Sequence, residues 1–418
     1  EVDDSLRSAD PATKPAARDP RGSAQGAGRV GNLGLVARAA LASAAPPSRA
    51  RIAQRTELTR STVSRLVDDL VAAGFLQEGV PSEPTRSGRP GTPLVAGTAI
   101  AALGLQVNVA GLAARVVDLS GQVVAERLVA QSLVDSDPAE VLAQLRGLAL
   151  ACLAEVPASL GIVGARLALP GVVSVPDGVL LVAPNLGWRE VRPADHLGSG
   201  IFDGMPLRLG NEADLAARTI ADMAPGRPGP LRDFVYVSGE IGIGGAVVLD
   251  GEVLTGNHGW AGEIGHVCVD PNGPRCRCGS TGCLERYVGR DAIAAAAGCD
   301  PLAVVDLVRA GDERALASTR AAARALGIAL AGVVNLLDIP AIVLGGYLGQ
   351  IGGVLIAGLE EHLAARVLSS GWVTPTVTVA TERPAAGATG AAFAELNAVL
   401  SDPAPWVDGH GRGFSARN

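Results

Sequence analysis

Gly262-Glu263-Ile264-Gly265-His266, followed by Cys276-Arg277-Cys278-Gly279-Ser280-Thr281-Gly282-Cys283-Leu284-Glu285, places one imidazole and three thiols close together in the chain. Zinc in a folded site takes four nitrogen or sulfur ligands tetrahedrally, and His266, Cys276, Cys278 and Cys283 make such a set with no position left open. One structural Zn2+ per chain is therefore expected. Free cysteines, which are commonly small buried hydrophobes, and a disulfide are the alternative readings. Three of the six cysteines fall within eight residues, among glycines and near a histidine, and that spacing favours the metal.

Outward from this stretch, 418 residues exceed the usual size of one core, so more than one domain is expected. Apolar residues make up 48%, but much of this is alanine, and the run from Ala321 to Leu337 is interrupted by Arg324, Gly332 and Asn335. A bilayer span needs roughly 20 consecutive apolar residues, so no transmembrane helix and no membrane partner are expected. The N-terminal stretch is charged and lacks the apolar segment of a secretory signal, which points to a cytoplasmic, reducing location. A formal charge of -7 argues against nucleic-acid binding by the whole surface. The average hides a basic segment, because Arg29 to Pro93 carries 9 Arg against 5 acidic residues.

Glu1 to Gly28 has no hydrophobic period and reads as a disordered arm. Leu33, Val36, Ala37, Ala40 and Leu41 form a helical stripe that Pro46-Pro47 ends. A second short helix holds Ile52 and Ala53. Thr59 caps a third, whose Val63, Leu66, Val67, Leu70 and Val71 share one face. Its other face shows Arg60, Ser61, Thr62, Ser64 and Arg65, the arrangement in which the last helix of a helix-turn-helix enters the major groove. Phe75 to Glu78, a loop with Arg86-Ser87-Gly88-Arg89-Pro90, and Pro93 to Val95 read as strand, tip and returning strand, hence a wing. Arg86 and Arg89 at such a tip suit a minor groove. Thr59, Arg60, Ser61, Thr62, Ser64, Arg65, Arg86 and Arg89 are the candidate DNA contacts. The plainer alternative is a three-helix bundle with a solvated face.

From about Ala99 the texture becomes β-rich. Leu103 to Val109, Gly111 to Asp118 and Gln122 to Leu128 read as strands joined by tight turns, Ala139 to Glu155 as a helix and Ala165 to Ala168 as another strand. Strand signals return at Phe234 to Val237, Gly244 to Leu249 and Ala341 to Leu344, the last after a long helix from about Glu313 to Leu337. This alternation implies an α/β fold.

The metal-loop motifs, Asn211-Glu212-Ala213-Asp214, and the glycine loop Gly239-Glu240-Ile241-Gly242-Ile243-Gly244-Gly245 resemble the ROK (repressor, ORF, kinase) family from about residue 99 to 398. With the winged helix, about 370 of the 418 residues resemble a ROK-type transcriptional regulator. The resemblance implies an actin-like, ribonuclease H-like pair of lobes with a sugar between them, preceded by a winged helix-turn-helix. The expected division is an arm 1–28, a DNA-binding domain 29–95, a ROK domain 96–400 and a flexible tail 401–418. Within the ROK domain, a small lobe spans about 96–212 plus a C-terminal helix at about 386–400, and a large lobe spans about 213–385. By resemblance Gly171, Asn211, Glu212, Glu263, His266 and Glu285 would contact the sugar, with Asn185 a further candidate. Carboxylates suit paired hydroxyl donors.

Family kinases carry Asp-x-Gly-Gly-Thr after the first strand, where this chain has Gln106-Val107-Asn108-Val109-Ala110. Their Gly-Thr-Gly loop corresponds to Gly239-Glu240-Ile241, and a carboxylate a few ångströms from phosphate costs about 1–4 kcal/mol at intermediate screening. Their Asn-Asp-Ala becomes Asn211-Glu212-Ala213, and the one lysine, Lys14, lies in the arm. The expectation is therefore no ATP, no catalytic residues and no enzyme activity. The reading is a sugar-responsive DNA-binding regulator, a repressor of carbohydrate metabolism genes, that binds a sugar or sugar phosphate. Its partners would be a second copy of itself and double-stranded operator DNA bearing an inverted repeat. The alternatives are an ATP-dependent sugar kinase with an appended DNA-binding domain, and a regulator that acts through a protein partner without sensing sugar.

Overall fold

The structure is a computed structural model that describes residues 20–43, 45–80, 91–197, 205, 207–239, 241–381 and 384–409, with residues 20–27 described by backbone alone. Three helices, Pro20–Leu41, Arg49–Thr56 and Arg60–Ala72, open it. Thr59 caps the third, its hydroxyl oxygen accepting from Thr62 N–H at 3.2 Å. Val63, Leu66, Val67 and Leu70 turn inward onto Leu33, Val36 and Ile52, so the stripe spacing does become a buried face. Strands Leu76–Glu78 and Leu94–Ala96 pair antiparallel, with Gln77 opposite Val95. The tip expected between them, with Arg86 and Arg89, lies outside the described residues, as does Glu240.

The first helix begins at Pro20, inside the stretch to Gly28 expected to be disordered. Proline is favoured at a helix start, where its missing N–H costs nothing, and each residue added to the segment anchored at Leu33 gains a hydrogen bond. Residues 1–19 lie outside the described residues.

Two five-stranded sheets follow, with the same strand order. In the first, Ile100–Asn108 pairs antiparallel with Gly111–Asp118, which pairs antiparallel with Val123–Ala130; on its other side Gly161–Leu169 and Leu207–Asn211 add parallel. In the second, Phe234–Gly239 pairs antiparallel with Ile243–Leu249, which pairs antiparallel with Glu252–Val253; Ala341–Gly345 and Thr376–Val379 add parallel. Parallel neighbours need long crossovers, and helices Pro138–Glu155 and Glu313–Leu337 precede the first parallel strand of each sheet. A three-stranded antiparallel unit, Val172–Ser174, Val179–Ala183 and Trp188–Val191, projects from the first lobe.

Glu313–Leu337, at 25 residues, is long and apolar enough to cross a bilayer by length and composition, but half of its most apolar window is buried. Leu326 and Leu330 sit in the core of the second lobe.

Helix Ala386–Ser401 returns to the first sheet. Gly104 permits its approach, because a Cβ there would collide with the Ala388 carbonyl. Glu395 is fully buried and accepts from Arg166 Nε at 2.9 Å and from Arg208, so the charge is not left unpaired. Phe393, Leu396 and Leu400 lie in the same apolar core as Leu33, Val36 and Leu66, so the N-terminal three-helix head and the first lobe share packing. The tail expected to be flexible from Ser401 is docked as far as Asp408: Ala404 is buried, Trp406 and Val407 pack on that shared core, and Asp408 pairs with Arg29 at 2.9 Å. Residues 410–418 lie outside the described residues.

Candidate functional site

Between the two sheets lies a cleft of about 770 Å³, lined by Gly171, Asn211, Glu212, Glu263, His266 and Glu285 together with Asn108, Asn185 and Ser238. All six residues singled out for sugar contact therefore come together. Asn211 ends a strand and caps helix Glu212–Ala221, its Oδ1 accepting from Ala213 N–H at 2.7 Å. Its Nδ2 donates to the Gly171 carbonyl at 3.0 Å and faces Glu263 Oε1 at 3.5 Å. Gly171 has φ +88°, a backbone region that glycine enters without a Cβ penalty.

Glu212, first in its helix, accepts at Oε1 from Gln106 Nε2 at 2.7 Å and from Asn108 Nδ2. Glu285 is buried, and its Oε2 accepts from the Ile243 N–H and from Asn185 Nδ2, both at 3.1 Å. Gly242 allows this meeting, since a Cβ there would come within 2.6 Å of both Asn185 Nδ2 and Glu285 Oε2. Burial pushes the Glu263 carboxyl up from its ordinary range, with Glu285 adding to the rise and His266 opposing it.

Behind this wall lies the metal loop. The ligand atoms of His266, Cys276, Cys278 and Cys283 all lie within 4.8 Å of one another. Cys278 Sγ and Cys283 Sγ are 3.6 Å apart, and Cys276 Sγ is 3.9 Å from His266 Nδ1. A tetrahedron with Zn–S and Zn–N bonds of ordinary length has edges of about 3.5–3.8 Å, so the donor set fits a metal ion. Burial pushes the Cys283 thiol up to about 12 and raises Cys276 as well, so a cation is what would hold these sulfurs as thiolates. His266 Nδ1 faces the thiols while its Nε2 lies 4.0 Å from Glu263 Oε2, so one ring addresses both metal loop and cleft. Cys152 is buried, Cys268 exposed and Cys299 half-buried, none within this set.

Arg277, between two of the cysteines, reaches across to the first lobe and donates to both oxygens of Asp135, at 2.8 and 3.2 Å. Asp135 sits at φ 52° and its N–H donates to the Asn185 carbonyl. Trp188 packs in the first-lobe core beneath, donating to the Ser136 carbonyl at 2.9 Å, and does not line the cleft. Asn108 and the Arg277–Asp135 pair were not legible as site residues, because their partners lie more than a hundred positions away along the chain. A second cavity of about 1490 Å³ adjoins the first at Asn108, Glu212, Ala216 and Ser238, and it continues to Gly345, Gly346 and Thr378.

On the head, Arg60, Ser61 and Arg65 are exposed and Thr62 and Ser64 half-buried on one face of helix Arg60–Ala72. The Thr59 hydroxyl is taken up as the cap. Arg51, Gln54, Thr59 and Arg60 line a shallow groove beside this helix. Arg49 is not available in the same way: it pairs with Asp68 at 2.6 Å and Glu78 at 3.1 Å and bonds the Ser64 carbonyl.

Comparison with known proteins agrees with this geometry. The ROK family model matches residues 102–396 and the IclR helix-turn-helix domain matches residues 39–79. The chain is 29% identical over 345 residues to the putative xylose repressor of Caldicellulosiruptor sp. (strain Rt8B.4), covering 76% of this chain and 84% of that one. It is 31% identical over 228 residues to the glucokinase of Halalkalibacterium halodurans, covering 50% of this chain and 68% of that one. Its fold is similar to that of a ROK family transcriptional regulator described as a homolog of E. coli MLC, with TM-score 0.73 and 24% identity over 91% of this chain and 99% of the other. It also resembles the ROK hexokinase of Thermus thermophilus, with TM-score 0.56 and 29% identity over 70% of this chain and 97% of the other.

Proposed function

The chain belongs to the ROK family, and we propose that within it this protein is a sugar-responsive DNA-binding repressor of carbohydrate metabolism genes rather than an enzyme. The observation that carries the reading is that the helix-turn-helix shares one apolar core with the lobe that walls the cleft, so ligand and DNA sites stand on one framework. Xylose repressors among the similar proteins support the same reading and make D-xylose the first effector to test. Such a protein acts in the cytoplasm, where its operator is.

The ligand is a neutral sugar. Glu212, Glu263 and Glu285 face the cleft, and no Arg or Lys is among its described lining residues. Hydroxyl groups donate readily to such acceptors, whereas a phosphate would meet three carboxylates at close range. Asn211, Glu212, Glu263, His266 and Glu285 hold the hydroxyls, and Gly171 lets the backbone come close to the ring.

His266, Cys276, Cys278 and Cys283 hold one Zn2+, which fixes the loop that carries His266 and Glu285. The imidazole, bound through Nδ1, is thereby oriented with Nε2 toward the cleft. We assign major-groove contact to Thr59, Arg60, Ser61, Thr62, Ser64 and Arg65, and minor-groove contact to Arg86 and Arg89, which lie outside the described residues. Two copies read an inverted repeat, since two-fold sites are matched by two-fold proteins.

A second reading, an ATP-dependent sugar kinase, is favoured by the glucokinase similarity and by the open cavity next to Glu212. Against it stand Gln106 and Asn108, which occupy the Glu212 carboxylate with amide donors. Calorimetry on zinc-loaded protein with D-xylose, D-glucose and glucose 6-phosphate, run beside an assay for ATP-dependent sugar phosphorylation, separates these possibilities. Saturable binding of a neutral sugar without turnover is expected. Turnover, or binding of the phosphate ester alone, would overturn the proposal.

A further inference from the structure

We propose that Gln106 is a positioning residue that carries the state of the sugar cleft to helix Ala386–Ser401, on which the DNA-binding head is mounted; the inference rests on the regulator reading above. Gln106 lies near the end of the central first-lobe strand and is 7% exposed. Both ends of its side chain are engaged. Its Nε2 donates to Glu212 Oε1 at 2.7 Å, and its Oε1 accepts from the Ala388 N–H at 3.0 Å. A primary amide donates to a carboxylate with one end and accepts from a backbone N–H with the other. Glutamate here would set a second anion against Glu212, and an aliphatic residue would leave the Ala388 N–H unmet and take one of its donors from Glu212.

The joint has little slack. A Cβ on Gly387 would come within 3.0 Å of the Gln106 amide and 3.2 Å of Glu212 Cγ, so the start of the helix is packed against both side chains. A shift of the Glu212 carboxylate toward a sugar hydroxyl therefore reaches the first turn of the helix through direct contact, because close-packed interiors pass on displacements that they cannot absorb. Glu395, held by Arg166 and Arg208, makes the middle of the helix part of the first lobe. At its far end Leu396 and Leu400 pack with Leu33, and a Cβ on Gly34 would strike the Ser401 carbonyl. Cleft and head thus touch opposite ends of one helix, which is the element able to report one to the other.

Hydrogen–deuterium exchange on the full-length, zinc-loaded protein tests this, with D-xylose, D-glucose and N-acetylmannosamine as probes. In the wild type a sugar that slows exchange at residues 211–213 and 263–266 also changes exchange at 386–401 and at 29–41. In Gln106→Leu the cleft response persists, with sugar affinity reduced by no more than about tenfold, since only one of the two hydrogen bonds removed is made to a cleft residue, while the response at 29–41 disappears. Gly387→Ala, which crowds the same joint, is the second variant and likewise uncouples the head. A Gln106→Leu or Gly387→Ala protein that still passes the full response to 29–41 overturns the relay, even if it melts at a lower temperature. If none of the three sugars alters exchange in the wild type, sugar sensing itself fails and the relay falls with it.

Discussion

Asp214 stands one turn inside the helix that Asn211 caps, with its Oδ1 lacking a hydrogen-bond partner among the described residues. Burial, reinforced by Glu263, pushes its carboxyl up to about 7 from an ordinary 3.8. A group whose folded value is raised stabilises the fold fully only below its unfolded value, and that contribution is lost as pH rises through the folded one. Asp214→Asn should therefore raise the melting temperature at pH 8 and leave it unchanged near pH 4; an equal effect at both would contradict the assignment. Cys278→Ser should drop bound zinc from one per chain toward none by elemental analysis, and full stoichiometry would refute the ligand set. The cluster of His266, Cys276, Cys278 and Cys283 was legible because all four fall within 18 residues. The contacts of Asn108, Gln106 and Asp135 were not, since a partner more than a hundred positions away along the chain leaves no trace in local spacing, and Arg277 reads as a mere spacer between cysteines.

Among elements, helix Arg60–Ala72 carries the DNA hypothesis. Arg60 and Arg65 are exposed and have no carboxylate partner among the described residues. Arg49, counted with them in the basic excess of the sequence, is spent on Asp68 and Glu78. Arg65→Ala should weaken operator binding by about tenfold or more at fixed salt, as loss of a base-edge arginine does, while Arg49→Ala should chiefly lower thermal stability. Fluorescence anisotropy and thermal melts on both variants would show it, and an Arg65→Ala protein with unchanged affinity would remove that residue from the contact set. Strong periodicity made elements readable: the long helix was expected over Glu313 to Leu337 and is found there, and Thr59 is the cap its position suggests. The docking of Ala404 to Val407 was hidden, because proline and small residues look like a tail until a partner surface exists to bury them.

At the scale of the whole molecule, two sheets of identical strand order enclose the cleft, and the head rides on the first of them. That duplication was legible only through the family resemblance, since the two halves share topology without sharing a repeated motif. The lobes are also joined by the ion pair of Arg277 and Asp135. Both side chains are well exposed, at 45% and 62%, so the pair contributes little to holding the lobes together. Asp135→Asn should weaken sugar binding by about two- to fivefold, and the charge-reversed double variant Asp135→Arg/Arg277→Asp should restore part of it. No change in calorimetric affinity would exclude a role for the pair in closure. The central claim, that one chain reads both operator and sugar, is tested most directly by sequencing host genomic fragments retained on the zinc-loaded protein with and without D-xylose and other neutral sugars. An enriched inverted repeat that one sugar releases is the predicted result; no enriched sequence under any condition would contradict the account.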